Sequence, residues 1–267
     1  MTVMSGPAEA LRRASETLAD RPSALITDID GTISRIVANP EDATVSDAAK
    51  QSLRNLASQL DLIVVVTARE ERVARHMVGV PELTYVGNYA LRQDVAVQPA
   101  ANGLDAARAT AKAMTDYPGV TYEDKGIGFS LHYRNSPQPD DARSWLLARL
   151  QPLAAEHGGR LVEGKRVIEV VPAGLPTKDT ALNALADQHG LRGIVFLGDD
   201  RSDVAVFREL ANRRARGLAS LGLAVVDLET DPQVMEAADL ALAGVDAVEE
   251  FLAQLSRSLV QEARHGS

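Results

Sequence analysis

Short apolar runs alternate with amphipathic stretches along much of this chain. The clearest runs are rich in Val, Ile and Leu and lie at 24–27, 62–66, 84–86 and 193–197. Unbroken β-branched runs of this kind are typical of parallel strands that are covered on both faces. The stretches between them carry apolar residues every three or four positions, which predicts helices packed on the sheet. The pattern therefore predicts a doubly wound, Rossmann-like α/β core with a parallel sheet.

The individual elements follow from this periodicity and from capping residues such as Ser46. The predicted helices cover 7–19, a segment that begins after Ser46, and then 103–114, 139–157, 178–189 and 246–260. The predicted strands cover 24–27, 62–66, 84–86, 120–123, 128–133, 160–162, 166–171, 193–197, 223–226 and 240–242.

The rhythm changes between residues 97 and 173. There a helix and a hairpin are followed by a second helix and a second hairpin, with glycines in the turns. This order is typical of an α+β module with an antiparallel sheet. We therefore expect a core domain made of residues 1–96 and 174–267, interrupted by an inserted domain of residues 97–173.

Composition limits the classes of partner. The chain has 267 residues, of which 45% are hydrophobic and 24% charged, as in an ordinary globular protein. Its formal net charge of −9 repels nucleic-acid phosphates and anionic lipids. We therefore expect a small-molecule partner, no nucleic acid and no membrane. One basic cluster, Arg213, Arg214 and Arg216, is predicted to be a solvated loop, with contact to a partner as the alternative.

Cysteines and targeting signals are absent from the sequence. Without cysteine there can be no disulfide, no thiolate metal site and no cysteine nucleophile. No apolar run approaches the length that crosses a bilayer, and residues 1–9 lack the basic-then-apolar pattern of a secretory signal. We expect a cytoplasmic protein that acts as a monomer.

Two aspartates, Asp28 and Asp30, directly follow the first apolar run and precede Gly31. The carboxyl ends of parallel strands are where open α/β sheets build their ligand sites. Two close carboxylates repel each other unless a cation lies between them, so the pair predicts a hard, oxygen-seeking metal such as Mg²⁺. Gly31 permits a tight turn at this point.

Further polar groups follow other elements of the predicted sheet. Thr67 ends the second strand, Asp199, Asp200 and Asp203 follow a later one, and Lys178 opens a helix. Because the carboxyl ends of parallel strands share one edge, we expect these residues to converge. Several acids, one hydroxyl and one ammonium suit metal-assisted phosphoryl transfer, in which negative charge must be stabilised.

Each of these features alone has a structural explanation. An Asp-x-Asp-Gly segment also occurs in turns and calcium loops. Asp199 and Asp200 could cap a helix that begins near Asp203, and Thr67 could also be a helix cap. Lys178 alone would more often be a solvated helix residue. Their joint occurrence, in order and after strands, favours the functional interpretation.

The order of these motifs resembles that of the haloacid-dehalogenase-like phosphatases, and the inserted module resembles the α/β cap domain of that superfamily's sugar-phosphate phosphatases. The shared motifs are Asp28-x-Asp30-Gly31-Thr32, Thr67, Lys178 and Gly198-Asp199-Asp200-x-x-Asp203. A narrower resemblance is to trehalose-6-phosphate phosphatases. It is carried by Asp30-Gly31-Thr32-Ile33-Ser34, His132-Tyr133-Arg134, Gly164-Lys165-x-x-x-Glu169-Val170-x-Pro172 and Gly198-Asp199-Asp200-Arg201-Ser202-Asp203.

The resemblance implies a set of catalytic roles. Asp28 would be the nucleophile that attacks phosphorus, and Asp30 the general acid/base that protonates the leaving sugar oxygen. Thr67 and Lys178 would hold the phosphoryl oxygens. Covalent catalysis of this kind splits one difficult displacement into two easier ones.

The resemblance also implies that the metal is Mg²⁺. Its ligands would be Asp28, the backbone carbonyl of Asp30 and Asp199, with Asp203 as a nearby ligand or as an acceptor behind them. Lys178 would offset the repulsion between the crowded carboxylates.

The inserted module supplies the candidate sugar-binding residues. Lys165 and Glu169 lie four positions apart on a predicted strand and therefore point to the same face. The pattern alone favours a cross-strand ion pair on the wet face of the sheet. The resemblance instead implies that both bind sugar hydroxyls, together with His132 and Arg134. In the core, Arg69 is a candidate for contact with substrate, with an ordinary helix-surface arginine as the alternative.

Three departures from the trehalose-6-phosphate phosphatase pattern bear on the substrate. Gly87-Asn88-Tyr89-Ala90 replaces a usual Gly-x-His-Gly, Asp179 follows Lys178 where glycine is usual, and Arg35 replaces a frequent proline. Trehalose 6-phosphate is the leading substrate, and another sugar or glycoside phosphate is the alternative. A regulatory module that binds sugar phosphates without turnover and a phosphomutase are the rival function classes.

Overall fold

The computed structural model of this chain describes residues 7–37, 39–87 and 103–265. The chain divides into two compact units, one from Met1–Ala90 with Thr177–Ser267 and the other from Leu91–Pro176. The domain boundaries drawn from the sequence at 96/97 and 173/174 stay a prediction, and the first of them lies outside the described residues. The predicted departure at Asn88–Ala90 also lies outside them.

The predicted helices and strands occur in the predicted order, and the structure adds helices at 71–78, 204–215 and 232–237 to those whose bounds the sequence predicted. The helices are α1 Pro7–Leu18, α2 Asp47–Ala57, α3 Glu71–Val78, α4 Asp105–Lys112, α5 Pro139–Glu156, α6 Lys178–His189, α7 Val204–Ala215, α8 Pro232–Ala237 and α9 Gly244–His265. The strands are β1 Ser23–Thr27, β2 Leu62–Val66, β3 Thr84–Val86, β4 Thr121–Asp124, β5 Phe129–His132, β6 Gly159–Gly164, β7 Val167–Pro172, β8 Gly193–Gly198, β9 Ser220–Val226 and β10 Leu240–Ala243. Of the helices within the described ranges, none combines the length and apolar character needed to cross a bilayer.

The first unit is built on a six-stranded sheet in the order β10-β9-β8-β1-β2-β3, in which every pair of neighbours is parallel. Strand β1 lies at its centre, with Thr27 level with Val65 of β2 and with Leu197 of β8. All six strands therefore end at the same edge. This confirms the doubly wound α/β core that the apolar pattern predicted.

Helices cover both faces of this sheet because alternate side chains of each strand point to opposite sides. Leu25 packs into one core with residues of α1, α2, α3 and α9, such as Leu53 and Phe251. Ile26 packs into the other core with residues of α6, α7 and α8, such as Phe207. Burial on both faces explains why the strands read as continuous apolar runs.

The second unit has a four-stranded antiparallel sheet in the order β4-β5-β7-β6. Its core is formed by one face of that sheet and by α4 and α5, with Phe129 and Ile168 from strands and Leu146 and Leu150 from α5. The predicted α+β module is thereby confirmed as a fold.

The predicted solvated loop is wrong for Arg213 and Arg214, whereas Arg216 lies in an exposed turn. Helix α7 carries Arg213 and Arg214, and Arg213 is only 4% exposed because its Nη2 donates to the carbonyl of Leu191 at 2.7 Å. Arg214 pairs with Asp239 at 2.6 Å, and Arg216 pairs with a glutamate of the same helix. Arg213 and Arg214 are thus tied to distant segments of the chain, and only the charge of Arg214 is paired with a distant acid.

Gly193 at the start of β8 allows a close approach that no side chain would permit. A Cβ at this position would lie 2.2 Å from the carbonyl oxygen of Thr17 and 2.7 Å from that of Asp20. We expect Gly193→Ala to lower the free energy of unfolding by about 1–3 kcal/mol, because the backbone must shift to admit the methyl group. Urea unfolding followed by circular dichroism measures this change.

Gly174→Ala is the matched control, since a Cβ there meets nothing within 4 Å. We expect its free energy of unfolding to stay within about 0.5 kcal/mol of the wild type. Equal stability of the two variants would contradict the packing described at Gly193.

Candidate active site

Asp28 is the first residue after β1, and its backbone still follows the sheet. Its N–H donates to the carbonyl of Leu197 at 3.0 Å, which continues the pairing with β8. Its carboxylate oxygen Oδ1 accepts a hydrogen bond from the backbone N–H of the next residue, Ile29, at 2.7 Å. Asp28 is 7% exposed. The sheet thus fixes a buried carboxylate at the edge where all six strands end.

Lys178 is the first residue of α6 and brings a cation to this carboxylate. The helix start is fixed by a cap in which the Thr177 N–H donates to Thr180 Oγ1 at 2.8 Å. The Lys178 Nζ lies 2.6 Å from Asp28 Oδ2 and 2.7 Å from Asp203 Oδ1, and its side chain is 3% exposed. The alternative that Lys178 is a solvated helix residue is excluded.

The loop after β8 supplies the remaining acids. Asp203 Oδ2 accepts from the backbone N–H groups of Asp199 and Asp200 at 2.9 and 3.0 Å. A Cβ on Gly198 would lie 2.5 Å from the Asp203 carboxylate, so glycine is needed for this folded-back loop. The Asp200 carboxylate accepts from the N–H of Arg201 and caps the short turn that follows. Asp200 therefore caps this turn and not helix α7, which begins at Val204.

The turn after β1 packs directly against Asp199. Thr32 is fully buried, and its hydroxyl donates to Asp199 Oδ1 at 3.0 Å. Gly31 has φ +80°, and a Cβ there would lie 1.9 Å from Asp199 Oδ2. The sequence predicted a tight turn at Gly31 but not this contact, because Asp199 comes from a distant part of the chain.

Three carboxylates, those of Asp28, Asp199 and Asp203, form a group that fits a divalent cation. One oxygen from each lies within 4.8 Å of the others, and all three residues are buried. The acids outnumber the single ammonium of Lys178, and excess buried charge is costly unless a cation compensates it. Carboxylate oxygens are the ligands that Mg²⁺ prefers. The donor set therefore fits the metal that the sequence predicted.

The pKa values of Asp28 and Lys178 are both raised, but for different reasons. Burial raises the pKa of Asp28 to about 7, opposed by the charge of Lys178 and reinforced by Asp203 and Asp199. Burial alone would lower the pKa of Lys178, but the charges of Asp203 and Asp28 outweigh it and raise that pKa above its ordinary value. Lys178 is therefore a permanent cation, whereas Asp28 depends on its neighbours to stay ionised.

Thr67 lies at the same edge of the sheet. It follows β2, which is level with β1 through the Thr27 and Val65 pair, and it is 1% exposed. Its N–H donates to the carbonyl of Val86 at 3.0 Å, and its Oγ1 accepts from the N–H of Arg69 at 3.2 Å. The hydroxyl thus organises the turn after β2. Its role in holding phosphate stays a prediction.

Asp30 and Arg69 form an ion pair that the sequence did not predict. The guanidinium contacts both carboxylate oxygens, with distances of 2.7 and 2.8 Å. Arg69 precedes α3, which begins at Glu71, so it is not a helix-surface residue. Whether Arg69 contacts substrate stays a prediction.

The sequence placed Lys165 on a strand, which is wrong. Strand β6 ends at Gly164 and β7 begins at Val167, so Lys165 lies in the hairpin turn together with Arg166, whose φ is +61°. Because Lys165 belongs to this turn, the alternation of side chains along a strand does not predict which way its side chain points. The Lys165 carbonyl accepts from Arg134 Nη2 at 3.0 Å.

The other candidates of the second unit lie in a charged network on the antiparallel sheet. Glu169 is 5% exposed, pairs with Lys125 and accepts from Ser130 Oγ at 3.1 Å. His132 Nε2 lies 2.8 Å from Glu123 Oε2. Sequence reasoning missed Glu123 and Lys125, although their alternate spacing along β4 and the turn after it was a usable signal. The sugar-binding roles of these residues stay predictions.

Comparison with known proteins agrees with this fold and identifies a family. The family model described as trehalose-phosphatase matches residues 26–245 of this chain. A trehalose-6-phosphate phosphatase from Escherichia coli is 29% identical over 245 residues, which cover 88% of this chain and 87% of that protein. The C-terminal domain of the C. albicans trehalose-6-phosphate phosphatase has a similar fold, with a TM-score of 0.79 at 20% identity over 97% of this chain and 99% of that one.

Two other relatives are much longer than this chain. They are Mycobacterium tuberculosis proteins described as uncharacterized glycosyl hydrolases, 30% identical over 265 residues. The match covers 93% of this chain, but the chain spans only 19% of the length of those relatives.

The carboxylate cluster predicts that Mg²⁺ stabilises the folded chain. A cation that binds the native cluster and not the unfolded chain stabilises the fold, so saturation with Mg²⁺ to about 100 times Kd should add about 2.7 kcal/mol to the free energy of unfolding. We expect Asp199→Asn to lose most of this gain, and Asp187→Asn on α6 to retain it. Thermal unfolding over a Mg²⁺ titration measures both. An Asp199→Asn variant that responds like the wild type would contradict the assignment of the site.

Proposed function

This chain belongs to the trehalose-phosphatase family, and we propose that it is an Mg²⁺-dependent phosphoric monoester hydrolase that converts trehalose 6-phosphate into trehalose and phosphate. The observation that carries the proposal is the buried cluster in which Lys178 bridges Asp28 and Asp203 beside Asp199. A relative from E. coli that is named a trehalose-6-phosphate phosphatase supports the choice of substrate.

We propose Asp28 as the nucleophile of the first step. Lys178 holds one of its carboxylate oxygens, and the N–H of Ile29 holds the other, so the group is fixed before substrate arrives. As an Asp28 oxygen forms a bond to phosphorus, the bond from phosphorus to the sugar oxygen breaks and its electron pair stays on that oxygen. Asp30 gives the sugar oxygen a proton, which makes it a better leaving group.

Water completes the reaction in the second step. Asp30, now a carboxylate, takes a proton from a water molecule whose oxygen attacks the phosphorus of the aspartyl-phosphate. The bond to Asp28 breaks, phosphate leaves and the carboxylate is restored. Lys178 remains protonated throughout, so its charge stabilises the crowded oxygens in both steps.

Mg²⁺ would be held by Asp28, Asp199, Asp203 and the backbone carbonyl of Asp30. When bound, it would neutralise negative charge on the phosphoryl oxygens. The carboxylate of Asp199 is already oriented by Thr32 and that of Asp203 by backbone N–H groups, so the ligands need little rearrangement.

We propose that the second unit binds the sugar through His132, Arg134, Lys165 and Glu169. Glu169 is held by Lys125, and a fixed carboxylate can accept hydrogen bonds from neighbouring hydroxyls and so select sugar stereochemistry. Another sugar or glycoside phosphate is the alternative substrate. The monomeric state and the cytoplasmic location stay predictions.

A panel of sugar phosphates tests the proposed activity. We expect the purified chain to release inorganic phosphate from trehalose 6-phosphate only when Mg²⁺ is present, and faster than from the other members of the panel. Asp28→Asn should abolish release, because an amide is a poor nucleophile, while Asp187→Asn should have no effect. Colorimetric detection of phosphate measures the rates.

Other outcomes of the same panel point to the rival functions. Binding of sugar phosphate without release of phosphate would support a regulatory module. An isomerised sugar phosphate, detected by nuclear magnetic resonance, would indicate a phosphomutase. Either result would overturn the proposed hydrolase.

Lys165→Ala tests the sugar-binding role of the hairpin turn. The carbonyl that accepts from Arg134 is kept in this variant, so the turn itself should persist. We expect KM for trehalose 6-phosphate to rise by about tenfold, from loss of a charged hydrogen bond, while cleavage of p-nitrophenyl phosphate is unchanged. Lys50→Ala on α2 is the control. An equal loss with both substrates would contradict the assignment.

A further inference from the structure

The turn after β2 carries a guanidinium that holds the Asp30 carboxylate by both of its oxygens. Arg69 Nε lies 2.7 Å from Oδ2, and Nη2 lies 2.8 Å from Oδ1. A planar fork of this kind fixes the plane of a carboxylate as well as its position, which a single ammonium cannot do. The two residues follow neighbouring strands of the sheet, β1 and β2, so the pair links two separate turns.

Arg69 is itself held at its backbone. Its N–H donates to Thr67 Oγ1 at 3.2 Å. A Cβ on Gly87 would lie 2.7 Å from the Arg69 carbonyl oxygen, so the bare backbone after β3 packs against this turn. The Arg69 side chain is 18% exposed and that of Asp30 is 36% exposed. The guanidinium therefore reaches Asp30 from a backbone whose position is fixed.

The two acids after β1, Asp28 and Asp30, form ion pairs with different cations. Lys178 holds Asp28 and ties it to Asp203, whereas Arg69 holds Asp30. Asp30 is the more exposed of the two acids, and an exposed carboxylate samples several rotamers unless something orders it. The division of partners keeps the Asp30 carboxylate oriented independently of the buried cluster.

We propose that Arg69 is a positioning residue that holds Asp30 for proton transfer, and that it is not a ligand of the sugar. The proposal rests on the proposed function, in which Asp30 protonates the sugar oxygen as the bond to phosphorus breaks. Both oxygens of a carboxylic acid keep lone pairs, so the two N–H groups of Arg69 can still hold the group while its proton points away from the guanidinium. A misplacement of about 1 Å at a reacting group costs about 100-fold in rate, so loss of the fork should lower kcat.

Four variants separate this role from its alternatives: Arg69→Met, Asp30→Asn, the double variant and Arg72→Met. Arg72 is an exposed arginine on α3 and provides the matched control. Each is assayed with trehalose 6-phosphate and with p-nitrophenyl phosphate. The nitrophenolate leaving group departs without a proton, so kcat/KM for this ester reports the attack by Asp28 without the acid.

We expect Arg69→Met to lower kcat for trehalose 6-phosphate by about tenfold to 100-fold while KM stays within about threefold. Its kcat/KM for p-nitrophenyl phosphate should stay within about threefold of the wild type, and Arg72→Met should match the wild type with both esters. Because Arg69 acts through Asp30, the double variant should be no slower than Asp30→Asn alone.

Three results would overturn the proposal. A rise in KM with kcat preserved would make Arg69 a sugar ligand. Losses that multiply in the double variant would show that Arg69 acts independently of Asp30. Equal losses with both esters would show general damage to the fold. If the wild type released no phosphate from any sugar phosphate, the proposed function would fail first, and this proposal with it.

Arg69→Lys keeps the experiment informative if Arg69→Met does not fold. A lysine retains the positive charge but cannot contact both oxygens in one plane. We expect it to restore folding and to leave kcat for trehalose 6-phosphate at least about fivefold below the wild type. Full activity in Arg69→Lys would mean that charge alone suffices and that no positioning is involved.

Discussion

The ammonium of Lys178, buried between Asp28 and Asp203, is the interaction on which the candidate site depends. It lies 2.6 and 2.7 Å from the two carboxylates and is almost inaccessible to solvent. Without it, two acids would be buried side by side with no compensating charge, and at least one would be driven to its neutral form. The same contact joins three segments that are remote in the sequence: the end of β1, the start of α6 and the loop after β8.

Small residues around the cluster let the acids approach so closely. Gly31 and Gly198 each occupy a place where a Cβ would strike a carboxylate, and Thr32 adds a hydroxyl that orients Asp199. Repulsion between the acids is thus opposed by backbone and hydroxyl donors as well as by Lys178. We infer that the protein maintains a cluster of carboxylates in a form that a divalent cation can bind with little rearrangement.

Much of the fold could be predicted because its signals are local. The apolar run of β2 is long enough and β-branched enough to specify a strand covered on both faces, and Ser46 marks the start of α2 with a cap that the structure contains. The convergence of Asp28, Lys178 and Asp203 followed from a topological rule, since parallel strands end at one edge.

Other features depend on partners that no local pattern reveals. Arg213 looked like part of a solvated loop because its acceptor, the carbonyl of Leu191, belongs to another segment. Lys165 was misplaced because a backbone turn with positive φ at Arg166 interrupts an apparently regular strand. Prediction of the ion pair between Asp30 and Arg69 would have required the register of two neighbouring strands, which the sequence alone does not reveal.

We propose that Asp28 becomes covalently phosphorylated during turnover. Rapid acid quench of the Mg²⁺-loaded chain with radiolabelled trehalose 6-phosphate, followed by peptide mapping, tests it directly. We predict transient label on the peptide that contains Asp28, lost on treatment with hydroxylamine as expected for an acyl phosphate. Label on another residue, or release of phosphate with no labelled peptide at any quench time, would contradict the claim.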